Sequence, residues 1–230
     1  MAVELRAGPA SLAGLEWLGR VGPAPVDAWR CAMGWGERVA RSHASRLERA
    51  GWLERYPMVR GEGSLLVATR RGVRMSGMQL TAPAEPEPVS WAHDCACAWT
   101  AAWLTLRGRD WRGPREVLAD SELKGELEWR TRLGTRHSGH RPDLAVMIPS
   151  GVVAMEVELA RKSTNRLHAV LSMYWGWFYR HKLTGLIYVC GDQAGAERVK
   201  QAARKAGIPE GGLRVELLSA VREQAQRGGW

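Results

Sequence analysis

The sequence predicts an α/β protein of the α+β kind, with a small helical front unit closed by two strands and a larger back unit built on a mixed sheet between helices. Three observations predict it. Short amphipathic helical periods dominate residues 9–50, and two β-rich runs follow around Gly61, Glu62 and Gly63. A Pro-rich stretch, TAPAEPEPVS, then interrupts the pattern at residues 81–90. Beyond it, strand-like runs alternate with helical ones, the arrangement of a sheet layered with helices. The division read from this is 1–80, a linker over 81–90, and 91–230.

In the front unit, residues 9–20 form a helix with Leu12, Leu15, Trp17 and Leu18 mostly on one side. After a Gly-Pro-Ala-Pro break, residues 26–33 form a second, and Gly34, Trp35 and Gly36 turn the chain. Residues 37–50 form a third helix with Val39, His43, Leu47 and Ala50 spaced for burial. Its other face carries Arg38, Arg41, Ser42, Ser45, Arg46 and Arg49. His43, on the apolar side, reads as a satisfied core histidine. Strands over 52–59 and 64–69 complete the unit. Helix, turn and Arg-rich helix make the helix-turn-helix pattern.

In the back unit, residues 91–107 form a helix with Cys95, Trp99, Ala102 and Trp103 inward. Residues 111–118 read as a strand, and 121–129 as polar helix or loop. A hairpin follows, with strands over 143–148 and 152–159 and turn chemistry at Pro149, Ser150 and Gly151. Helices over 162–182 and 194–206 alternate with strands over 186–190 and 213–217, and a helix ends the chain.

The hairpin carries the chemistry. Glu156 and Glu158 interrupt an apolar strand, and alternation puts them on one face. Buried carboxylates are costly unless paired or bound to metal. Asp143 joins them if the loop has an even number of residues or the strand bulges at the Asp143 end. With Pro149 and Ser150 as the loop Asp143 faces Glu156; with Ser150 and Gly151 it faces Glu158. A three-residue loop puts it on the wrong side. The same spacing also suits a pair of surface acids that bind Arg161 or Lys162.

Composition points to a polyanionic partner. The chain of 230 residues has a net charge of +9 and a pI near 9.9, with Arg far outnumbering Lys. A high-GC genome raises Arg, Ala, Gly and Trp by itself, so charge alone does not decide. No apolar run reaches the ~18 residues of a membrane span, and the N-terminus lacks a signal-peptide pattern, which predicts a cytoplasmic protein without a membrane partner. The four Cys lack zinc spacing and read as reduced, buried thiols. Of twelve Trp, Trp111 and Trp129 lie in polar surroundings suited to stacking on bases.

Two resemblances add to this. The order of elements and the phrase RLERAGWLER resemble winged-helix DNA-binding domains over residues 9–77. That implies double-stranded DNA as partner, with Arg38, Ser42, Ser45 and Arg49 toward the major groove and Arg60 toward phosphate or the minor groove. A winged helix used for protein contacts is the alternative. Pro142 and Asp143, then some twelve residues, then Glu156 with Glu158, resemble the PD-(D/E)XK nuclease superfamily. The resemblance implies Mg2+ or Mn2+ on Asp143 and Glu156, with Glu158 where Lys is usual and Lys162 as the displaced cation. Glu122 or Glu128 would complete the acidic cluster, and Arg130, Arg132, Arg136, His137, His140 and Arg141 lead into it. Over most of the chain, "WAHD", "RPDLAV" and "MEVELARKS" resemble the plasmid replication-relaxation family of actinobacterial and related mobile elements. The implied function is DNA binding in plasmid replication, relaxation or transfer, by a protein that can also form a homodimer. A metal-dependent endonuclease or nickase and a transcriptional repressor are the alternatives.

Overall fold

The computed structural model describes residues 8–59, 61–83 and 85–228. It is a mixed α/β chain that divides into two compact units, Met1–Gly108 with Glu223–Trp230, and Arg109–Arg222. Among the described residues no helix is long and apolar enough to cross a membrane. All four Cys are buried, and among the described residues none is joined in a disulfide.

The first unit opens with α1 (Pro9–Val21), β1 (Ala24–Pro25), α2 (Val26–Ala32) and α3 (Glu37–Arg49). Pro9 sits where a missing N–H costs nothing, and Gly22 ends α1 at φ 97°. α1 and α2 approach closely through Gly14: a Cβ there would lie 2.8 Å from the Trp35 ring and 2.9 Å from Trp29. Trp29 Nε1 uses the space to donate to the Gly14 carbonyl at 2.9 Å. Then come β2 (Leu53–Val59), β3 (Gly63–Ala68), α4 (Arg70–Met75) and α5 (Trp91–Leu106). β3 is the centre of a three-stranded antiparallel sheet, with β2 on one side and the two-residue β1 on the other. The Pro-rich stretch holds no helix or strand among its described residues, as expected. Packing continues past it, however, because α5 belongs to the first unit and its Trp99 Nε1 donates to Glu62 at 3.0 Å. One inward face was expected of α5, but residues 95–104 are buried all round.

The second unit is built on a five-stranded mixed sheet. Its chain order is β4 (Trp111–Arg112), α6 (Pro114–Ala119), β5 (Gly125–Thr131), β6 (Gly134–His140), β7 (Leu144–Ile148), β8 (Gly151–Glu158), α7 (Thr164–Tyr179), β9 (Gly185–Cys190), α8 (Gln193–Ala206) and β10 (Leu213–Leu217). The last helix, α9 (Leu218–Arg227), ends in the first unit. The sheet runs β10-β9-β8-β7-β4, parallel through β8, β9 and β10 and antiparallel at β7 and β4. The parallel pairs are joined by α7 and α8, since parallel neighbours need a helical crossover. Ala145, Ala154, Leu186, Tyr188 and Cys190 share the sheet face that packs on Leu167, Val170, Leu171 and Tyr174 of α7 and Val199 of α8.

Two segments differ from expectation. The strand expected over 111–118 is only two residues long, because Pro114 starts α6 and the Glu116 carboxylate accepts from Gly113 N–H at 2.8 Å. The segment expected as helix or loop is a strand: β5 pairs along its whole length with β6 as a separate ribbon.

Candidate functional site

Two sites emerge, one in each unit. In the first, Ala40, Ala44 and Leu47 form the buried stripe of α3. Val39, expected inside, is 45% exposed, and Ala50 is half-buried. The observed stripe keeps Leu47 but replaces Val39 and His43 by their neighbours Ala40 and Ala44. His43 sits at its margin, with Nδ1 2.7 Å from Ser11 Oγ and its ring stacked on Trp35 at 4.2 Å. Burial, with help from Arg46, lowers its pKa. These contacts hold the opposite face outward: Arg38, Arg41, Ser42, Ser45 and Arg49 are exposed and Arg46 half-buried. Arg41 is paired with Glu37 one turn back, and Arg49 Nε reaches the Ser45 carbonyl at 3.3 Å. Two bonds, of 2.8 and 3.0 Å, tie Arg55 on β2 to Glu48 at the end of α3. Arg60 lies outside the described residues.

The second site is the hairpin β7–β8. Its register pairs Ile148 with Gly151 and Leu144 with Met155, so the loop is Pro149 and Ser150. One step further, Asp143 faces Glu156, which is the condition for the three acids to converge. Asp143 N donates to the Met155 carbonyl at 2.9 Å, and its carboxylate accepts from Val157 N at 2.7 Å. Glu156 and Glu158 are 1% and 4% exposed, so they are not surface acids. They occupy the helix-covered face of β8, opposite Tyr188 and Cys190 of β9.

Each acid has internal partners. Glu156 Oε1 accepts from the Tyr174 hydroxyl and lies 2.8 Å from His140 Nε2. Glu158 is paired with Lys162 Nζ, accepts from Lys162 N at 3.2 Å, and has Arg198 at 3.5 Å. The same Arg198 donates to the Lys162 carbonyl at 2.6 Å. Burial works against protonated His140, but the Glu156 carboxylate outweighs it and the pKa is raised. Lys162 behaves alike, with burial opposed by Glu156, Glu158 and Asp143, and the net shift upward. Burial and then Glu156 hold Tyr174 protonated well above the usual phenol range. Tyr188, fully buried and under the influence of all three acids, is also raised well above it. Its hydroxyl has no hydrogen-bond partner. An orphaned buried hydroxyl is costly, and here it lies among carboxylates.

Asp143 and Glu156 offer hard oxygen donors of the type a divalent ion takes. Asp143 and Glu156 are adjacent by register, both act on Tyr188, and a water on such an ion would satisfy the orphaned hydroxyl. No three of the hairpin acids bring donor atoms within 4.8 Å of one another among the described residues. Glu158, locked to Lys162 and Arg198, stands apart as the lysine's partner. Glu122 and Glu128 do not join: Glu122 is exposed, and Glu128 is exposed on the ribbon with His137 Nδ1 at 3.7 Å.

Sequence reasoning placed His140 only in the run leading into the site, and it did not assign Tyr174, Tyr188 or Arg198 to it. Tyr174 was legible as an inward residue of its helix, but nothing local marks its hydroxyl as a carboxylate partner. Trp111, considered for base stacking, is buried, while Trp129 is half-buried under the Arg166 guanidinium. Beside Glu158, at the carboxyl ends of β8 and β9, a pocket of about 640 Å³ is lined by Arg161, Asp192, Arg198 and Arg204 among others. Comparison of the chain with protein-family models, curated proteins and solved structures finds no match.

Proposed function

We propose that this is a double-stranded-DNA-binding protein of a plasmid or mobile element, acting in replication, relaxation or transfer, with a nuclease-like second unit. The observation that carries the DNA reading is the face of α3. Its arginines and serines are solvent-facing on a helix that follows a short turn and precedes a strand pair. That is the presentation by which a helix enters the major groove. Winged-helix geometry is supported by the three-stranded antiparallel sheet beside α1, α2 and α3. The PD-(D/E)XK reading is supported by the order of strands and helices in the second unit, by its mixed sheet and by the position of the acids on β8.

The test is gel-shift titration of the full chain on duplex DNA across salt. Arg46→Ala lowers affinity for all sequences alike and reduces the salt slope by about one unit. Arg49→Ala relaxes sequence preference. Unchanged binding in both variants removes the assignment.

Metal-dependent nicking of DNA is the second reading, and the convergence of Asp143, Glu156 and Lys162 with the orphaned Tyr188 hydroxyl favours it. Asp143 and Glu156 would hold the ion, and the ion would polarise a phosphate and acidify bound water. The chain's own residues do the rest. His140 and Tyr174 orient the Glu156 carboxylate, and Lys162 supplies positive charge beside the phosphate. Glu158 holds the lysine in place, and Arg161 and Arg204 of the adjoining pocket suit the flanking backbone. Supercoiled plasmid incubated with Mg2+ or Mn2+ decides. Nicking lost in Asp143→Ala and Glu156→Ala supports catalysis, and tight binding without nicking under either metal removes it.

A further inference from the structure

The near end of the β5–β6 ribbon reaches the second site through His140, but its far half belongs to neither site and has a composition of its own. Arg130, Thr131, Arg132, Leu133, Gly134, Thr135, Arg136 and His137 are all exposed. Three arginines crowd the tip, and among the described residues none of their guanidinium groups pairs with a carboxylate. The acids of the ribbon, Glu126 and Glu128, lie nearer its base, where Lys124 and His137 face them. Leu133 projects at 89% exposure from the turn itself, where an apolar side chain gains nothing in water.

The tip is tied by hydrogen bonds despite its exposure. Thr131 pairs with Gly134, leaving Arg132 and Leu133 as a two-residue loop. Thr131 Oγ1 donates to the Gly134 carbonyl at 2.9 Å and accepts from Leu133 N at 3.2 Å. Asn165 of α7 donates to the Arg130 carbonyl at 2.9 Å, and Arg166 lies over Trp129. At the other end Leu127 is buried, Gly125 admits Met173 and Trp177, and His140 is fixed to Glu156. The arm is therefore braced by α7, and ordering it on binding costs little.

We propose that this ribbon is a second DNA-contacting element, an arm that lies in a groove of duplex DNA with Leu133 as an apolar wedge between base steps. A two-stranded ribbon fits a DNA groove, and the three guanidinium groups match the phosphates on its walls. An exposed aliphatic side chain between arginines at a rigid tip has the chemistry of a wedge that unstacks one step and kinks the helix. The proposal rests on the DNA-binding reading and deepens it, by placing a point of attachment in the second unit that α3 does not supply.

The test uses the full chain, a short duplex labelled at both ends, and three variants: Arg130→Ala/Arg132→Ala/Arg136→Ala, Leu133→Ala, and Arg38→Ala/Arg46→Ala/Arg49→Ala. All substituted tip side chains are exposed, and an unchanged melting temperature checks the fold. The triple tip variant is expected to weaken duplex binding roughly tenfold or more and to lower the salt slope by about 2 to 3 units, near 0.9 for each phosphate left unneutralised. Leu133→Ala is expected to bind within about threefold of wild type and to lose the end-to-end energy-transfer change that reports the bend. If the tip variant keeps affinity and slope while the α3 variant loses them, the arm is refuted and the DNA reading stands. If neither variant changes binding, both fall. A loss confined to single-stranded DNA or RNA overturns the choice of partner, and a bend that survives Leu133→Ala overturns the wedge.

Discussion

The face of α3 and the acids of β8 are both clusters of like charge, and they are handled in opposite ways. The α3 cations other than half-buried Arg46 stand in water, and Arg41 pairs with Glu37. The β8 acids are buried, and each is held by its own donors, Glu156 by Tyr174 and His140, Glu158 by Lys162 and Arg198. An exposed cationic face contributes little to stability and is available to a polyanion at once. Buried acids contribute to the fold through their partners, so anything that binds them must compete with those partners. A single chain can thus devote one cluster to recognition and make the other both structural and reactive.

Substitutions sharpen this contrast. Glu156→Ala leaves His140 and Tyr174 facing an empty site and is expected to cost about 3–5 kcal/mol, read from the midpoint of urea unfolding. Tyr174→Phe removes one donor to the same carboxylate and is expected to cost about 1.5–3 kcal/mol in the same assay. The α3 arginines predict the reverse. Arg38→Ala and Arg49→Ala should change stability by no more than about 0.5 kcal/mol while weakening duplex binding. A large loss of stability from either would break the comparison, and so would a neutral Glu156→Ala.

The smallest effect belongs to His43. Its folded pKa lies below the unfolded value of about 6.5, because burial and Arg46 disfavour the charged ring. In the window between the two values the unfolded chain binds more protons, so stability rises with pH there. The contribution is complete above about pH 6.5 and is lost as pH falls through that value toward the folded pKa. Thermal melts of wild type and His43→Gln between neutral and mildly acid pH should show this slope in the first and a flatter curve in the second.

The Arg face of α3 and the acids of β8 were legible because each breaks a periodic pattern in a short segment: cations in a 3.6-residue repeat, carboxylates in a two-residue one. The hairpin loop then limited the register to a few choices. β6 could not be read, since Ser138 and His140, the residues opposite buried Leu127 and Gly125, include no apolar side chain. Without that strand, nothing in the sequence brings His140 to Glu156. α5 misled in the other direction, because a helix buried on every side shows no stripe to orient it. Tyr188 reads locally as one more aromatic residue in a core strand, and its orphaned hydroxyl is visible only once β9 lies against Glu156.

The most direct test of the central claim is the salt dependence of duplex binding by the full chain, measured by fluorescence anisotropy with Arg38, Arg46 and Arg49 intact and then changed to Ala. Tight, salt-sensitive binding is expected, with a slope that falls by about 0.9 for each phosphate the variant no longer neutralises. Weak binding by wild type, or a slope that stays the same when all three arginines are gone, would contradict it.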